Sequence, residues 1–148
     1  MKSKFGQIEF DKIHLQRVTI VSAVIENPLE ISSREIGGLH FNVGFTLDIS
    51  PQDQKVKAEL EVNLSTALEN AASQATARFR LAFIYSLENF DELIHWDNTG
   101  VDVSNELAIE IASISYSTAR GILLMHFQGT LFGEFILPVV SPIDILNA

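Results

Sequence analysis

The sequence predicts an α+β fold: a four-stranded antiparallel sheet followed by a long helix and a short C-terminal helix. Three observations carry that reading. Apolar and polar residues alternate in four separate stretches before residue 90, the apolar spacing changes to three and four after Gly100, and prolines at 138 and 142 bound an apolar tail. A period of two places side chains on opposite faces of a strand, whereas spacings of three and four line one face of a helix.

The first strand is expected from about Lys12 to Ile25. Ile13 and Leu15 have one parity and Val18, Ile20 and Val24 the other, which calls for a bulge near Arg17. A crossing loop comes next, from Glu26-Asn27-Pro28 to Gly37-Gly38-Leu39, with Leu29, Ile31 and Ile36 as its apolar residues. Phe41, Val43, Phe45, Leu47 and Ile49 alternate with polar or small residues and form the second strand. Proline and polar residues at Ser50-Pro51-Gln52-Asp53 make a turn, after which Val56, Ala58, Leu60, Val62 and Leu64 resume the alternation as the other arm of a hairpin. Phe79, Leu81, Phe83 and Tyr85 mark a further strand over Arg78 to Tyr85.

Ser104 is a good helix N-cap and Glu106 suits the first turn. Leu107, Ile111, Ile114, Ile122 and Met125 then form one stripe, beside a second line of Ile109, Ala112, Tyr116, Ala119 and Leu123. From Ala119 onward the helix is apolar on nearly every side, so one face can pack on the sheet while another meets a partner subunit. Ile109, Tyr116, Ile122, Leu123 and Met125 are the candidate interface residues. Gly121 costs about 1 kcal/mol against alanine inside a helix and suggests a close helix crossing. The helix should stop near Gly129, the chain from Leu131 to Pro142 should run extended, and Pro142 to Leu146 should form a last helical turn.

The 148 residues suit one domain over 1–148. A hydrophobic content of 47% exceeds what one small core demands and leaves apolar surface for partners. A net charge of −9 repels a phosphate backbone and argues against nucleic acid as a partner. Without cysteine there are no disulfides, thiolate metal sites or cysteine nucleophiles, as suits a reducing compartment. The start at Met1-Lys2-Ser3-Lys4 has no apolar stretch of a signal peptide, and the longest charge-free apolar run, around Gly121 to Phe127, falls far short of the roughly 20 residues of a bilayer span. A soluble, cytoplasmic protein is expected, without membrane insertion.

Chemistry-bearing clusters are sparse. His14, His40, His95 and His126 are scattered with no second ligand at helical spacing, so no metal is expected. His95-Trp96-Asp97 reads as a loop whose tryptophan covers the core. Glu59 and Glu61 lie on the polar side of an alternating strand, and neither a nucleophile elbow nor a phosphate loop occurs. The expectation is a protein without catalytic residues or cofactor, acting through apolar surface in the crossing loop and the tail.

The tail narrows this reading. Phe135-Ile136-Leu137-Pro138-Val139-Val140-Ser141-Pro142-Ile143-Asp144-Ile145 resembles the proline-bounded segment of the SecB-like export chaperones. Gly129-Thr130 is similar to the pair that closes the long helix of that family, and Ala119-Arg120 to a pair within it. The order of strands, crossing loop, helix and tail matches over nearly the whole chain. The resemblance implies a homotetramer built as a dimer of dimers with long helices at the interface. It also implies apolar grooves that hold unfolded polypeptides without ATP, here Leu29, Ile31, Ile36, Phe132, Phe135, Ile143, Ile145 and Leu146. Gln128 and Gly121 depart from the family pattern, and about four extra residues separate Thr130 from Phe135. In SecB the export motor docks on acidic residues of the first and last strands; Arg17, Val21, Arg80 and Ala82 stand at those positions, which makes motor docking doubtful and favours a dedicated client such as an antitoxin. The competing reading is an apolar small-molecule carrier or hotdog-like enzyme, against which stands a helix that comes after all the strands.

Overall fold

The computed structural model describes residues 4–26, 38–66 and 75–147. A 3-10 turn at Phe10–Lys12 leads into β1 (Ile13–Glu26), then β2 (Leu39–Ser50), β3 (Lys55–Thr66) and β4 (Thr76–Leu87). A one-turn helix α1 (Phe90–Leu93) and a hairpin of β5 (Ile94–Asp97) and β6 (Gly100–Val103) precede α2 (Asn105–His126) and α3 (Pro142–Leu146). The main sheet has the order β1-β4-β3-β2 with every pairing antiparallel. The α+β class and the four expected strands, long helix and last helix are all present.

Hydrophobic alternation builds the core. Val56, Ala58, Leu60, Val62 and Leu64 of β3 are all buried, and so are Phe79, Leu81, Phe83 and Tyr85 of β4. They lie opposite one another in register, Leu60 beside Leu81 and Ala58 beside Phe83, and so share one face of the sheet. β1 needs two register shifts to join that face, between Leu15 and Arg17 and between Ile20 and Ser22. Each bulge reverses the parity of the residues after it. Ile13, Leu15, Val18, Ile20, Ala23 and Ile25 consequently all pair with inner-face residues of β4.

Helix α2 covers that face. Ser104 caps it, its Oγ accepting the Leu107 N–H at 3.4 Å, and Leu107, Ile111, Ala112, Ser115, Tyr116, Ala119 and Leu123 are buried beneath it. Tyr116 and Leu123, expected at a subunit interface, are therefore core residues. The small side chains of Ala112, Ser115 and Ala119 let this face approach the sheet, whereas the apolar stripe read from the sequence runs through the bulkier Ile114 and Ile122. Ile109 and Ile122 are half-buried and Met125 is 72% exposed. Tyr85 and Ser115 hydroxyls meet at 2.7 Å inside the core, and burial pushes the Tyr85 phenol up to about 12 against the opposing Ser115 hydrogen bond. As a 22-residue helix, α2 is long and apolar enough to cross a bilayer by length and composition, which a count of charge-free runs does not reveal. Its buried face is the one laid on the sheet.

Two further expectations need correction. His95-Trp96-Asp97 is not a loop but β5, and Trp96 does not cover the core: it pairs with Val101 and is 54% exposed, while Ile94 carries the buried contact. Strands of four residues are too short to show a period. The chain after Gly129 is not extended from Leu131, because Leu131 to Glu134 forms a tight turn.

Candidate functional site: an anchored apolar tail

The tail begins where α2 ends. Phe127 closes the helix, its N–H donating to the Leu123 carbonyl at 2.9 Å, and Gly129 takes a φ of 78°, which a side chain would resist. Thr130 organises the turn: its Oγ donates to the Phe127 carbonyl at 2.7 Å and accepts the Phe132 N–H at 3.1 Å. A Cβ at Gly133 would come within 3.2 Å of the Thr130 carbonyl oxygen, so the turn is as tight as glycine permits. Gln128 spans it, its Nε2 donating to the Leu124 carbonyl of the helix at 3.1 Å and to the Gly133 carbonyl at 3.4 Å.

This turn drives aromatic residues inward. The Phe127 ring lies 5.7 Å from Phe132 and 6.3 Å from Phe135, and meets Phe79 of the sheet edge-on at 5.5 Å. Phe135 also faces Phe41 of β2 at 6.2 Å. Such pairs add to the burial of their area. Phe132 is fully buried and Phe135 half-buried.

Beyond Phe135 the chain alternates between anchored and open positions. Leu137 is buried, and its carbonyl accepts Arg120 Nε at 2.9 Å. The next carbonyl, of Pro138, accepts the Tyr116 hydroxyl at 2.5 Å. Partial burial raises the Tyr116 phenol while the nearby Arg120 charge lowers it, burial being the larger effect. These clamps from α2 hold the backbone while leaving Ile136 at 56% and Val139 at 82% exposure. Pro142 then starts α3 at a position where its missing N–H costs nothing. Ile145 points into the core, Leu146 is half-buried and Ile143 is 53% exposed. α3 packs against α2 and β2.

Of the residues expected to line a groove, Phe132 and Ile145 are core anchors, while Phe135, Ile143 and Leu146 reach the surface. Burial corrects the first pair for a simple reason: the turn at Thr130 and the single turn of α3 each send one apolar side chain inward. Leu29, Ile31 and Ile36 lie outside the described residues. Sequence reasoning leaves Ile136 and Val139 out of the groove and gives no role to Tyr116 and Arg120 as clamps. The available signal is a bare extended segment next to an apolar helix bearing one tyrosine and one arginine. Among the described residues no group of three or more histidines and carboxylates could hold a metal ion.

No family model and no curated protein matches the chain. Among solved structures it is similar to the Mycobacterium tuberculosis Rv1957 SecB-like chaperone, solved in complex with a ChAD peptide from the Rv1956 HigA1 antitoxin. The TM-score is 0.55 and the identity 14%, over 88% of this chain and 91% of that one. A protein of unknown function from Streptococcus agalactiae matches with a TM-score of 0.41 and 11% identity, over 87% of this chain and 94% of that one. The antiparallel sheet, long helix and short last helix of this chain thus form a SecB-like fold.

Proposed function

We propose that the protein is an ATP-independent holdase chaperone that takes unfolded or partly folded polypeptide segments onto the tail. Ile136, Val139 and Ile143 are the contact residues of this reading, flanked by Phe135 and Leu146. Leu29, Ile31 and Ile36, which lie outside the described residues, are kept as further contact residues in the proposal. The observation that carries it is a row of exposed aliphatic side chains on a backbone fixed by Tyr116 and Arg120. Their fixed backbone lowers the ordering cost of binding, and each Å² of apolar area covered contributes about 25 cal/mol. The peptide held by the Mycobacterium tuberculosis SecB-like chaperone favours a dedicated client, an antitoxin, as the form this activity takes. Assembly as a dimer of dimers would use the outer side of α2 at Ile109, Ile122 and Met125.

The test is light scattering from a chemically unfolded client diluted into buffer without nucleotide. Stoichiometric protein suppresses the signal, and Ile136→Ser with Val139→Ser and Ile143→Ser abolishes that suppression while the far-UV dichroism is kept. Unchanged scattering with the native protein contradicts the reading.

A further inference from the structure

The second surface of interest is the face of the main sheet turned away from α2. In β3 and β4 the inner residues are the buried set from Val56 to Leu64 and from Ala77 to Leu87, so their strand neighbours point outward. Register carries the assignment across the sheet, pairing Arg17 with Ile84, Ser22 with Arg80, Val24 with Arg78 and Asp48 with Lys57. Among the described residues, five of the eight basic side chains stand on this face: Arg17, Lys55, Lys57, Arg78 and Arg80. Of the sixteen described acidic residues four do, Glu26, Asp48, Glu59 and Glu61. In a chain of net charge −9 the charge is therefore polarised.

Within the face the polarity is uneven. On the β3 side Glu59 already engages Arg80, whose Nε lies 3.0 Å away, and has Lys57 at 3.9 Å. On the β1 and β4 side Arg17 and Arg78 are exposed and have no ion pair among the described residues. Between them lie the small Ala82 and Thr19, with Val24 46% exposed beside Arg78. Successive outward residues of β4 are about 7 Å apart, the same repeat as alternate residues of any extended chain. We propose that this face docks an acidic, extended polypeptide segment of a partner protein, laid along β4. Its carboxylates would face Arg78, Arg80 and Arg17, and a small apolar residue would face Ala82. Register sets the ligand pattern: acidic at positions 1, 3 and 7 and apolar at 5, counted from Arg78. The surface is separate from the tail and does not depend on holdase activity.

The probe is a fluorescent peptide Glu-Thr-Glu-Thr-Val-Thr-Glu, titrated by anisotropy, against the same peptide with lysine for glutamate. The acidic peptide binds saturably and loses affinity as salt shortens the range of the charges, while the lysine peptide does not bind. Arg17→Ser with Arg78→Ser weakens binding by about tenfold, two exposed charge contacts being removed. Both residues are exposed, so the variant folds, and unchanged client suppression by it supports a separate surface. Four results would each overturn the proposal: no binding of the acidic peptide, equal binding of the lysine peptide, equal competition by oligothymidylate of matched charge, or simultaneous loss of client suppression.

Discussion

From Val56 to Leu64 every apolar residue of β3 is buried, whereas from Phe135 to Val140 only Leu137 is. The two regions draw on the same kinds of side chain. What differs is how the backbone is held. In the sheet the ladder on both sides satisfies the backbone and leaves side chains free to fill the inner face. In the tail, side chains of α2 reach out to the carbonyls of Leu137 and Pro138, and the flanking Ile136 and Val139 are left outside. On β3 the ladder-held apolar residues become core. The apolar neighbours of the clamped Leu137 and Pro138 become surface of defined shape, which suits a binding edge.

The largest expected effect comes from breaking the sheet side of that comparison. Phe83 is fully buried in the core on the inner face of the sheet, and Phe83→Ala should cost about 3–5 kcal/mol by loss of transfer energy and a residual cavity. Urea unfolding followed by tryptophan and far-UV signals would measure it.

A smaller effect comes from alkali. The Tyr85 phenol releases its proton at about 12 in the folded state, against 10.0 in the ordinary case. The folded form thus binds more protons between those values, and stability falls as pH rises. The contribution of neutral Tyr85 is complete below pH 10 and lost through about 12, a loss of roughly 2–3 kcal/mol. Unfolding free energies at pH 9 and 11.5 would show it, and Tyr85→Phe should flatten the slope.

The smallest expected change in stability lies in the clamp. Tyr116→Phe removes the hydroxyl from the Pro138 carbonyl at a cost of about 0.5–1.5 kcal/mol. Its signature is local: order parameters at Leu137 and Val139 should drop while those of β3 and β4 hold. Client affinity should weaken severalfold because the freed segment must be ordered on binding. Unaltered order parameters would show that Arg120 alone holds the tail.

The legibility of the sequence divides in the same way. β3 and β4 can be read because each buries one face over ten residues or more, long enough for a period of two to stand out, and β2 because its apolar residues keep the same alternation while only partly covered. The bulge near Arg17 is visible as a parity change; the second, at Val21, is hidden because it restores the parity. Ser104 and Pro142 mark helix starts for local reasons that tertiary contacts do not alter. Short elements are another matter. β5 and β6 pair through four residues each, and their place is fixed by Ile94 reaching the core. On the buried face of α2, Ala112 and Ala119 belong to the second apolar line of the sequence, but Ser115 between them is polar and drops out of any apolar pattern. In the tail the turn at Thr130 depends on side chain–backbone bonds that no periodicity reports.

Photocrosslinking tests the central claim most directly. Benzoylphenylalanine is placed at Val139 in one variant and at Val101, an exposed apolar position on the β5–β6 hairpin, in another. Each is then irradiated with an unfolded client. Client adducts should form from position 139 and be near background from position 101. Equal yields from both positions, or adducts from 101 alone, would contradict a client surface on the clamped tail.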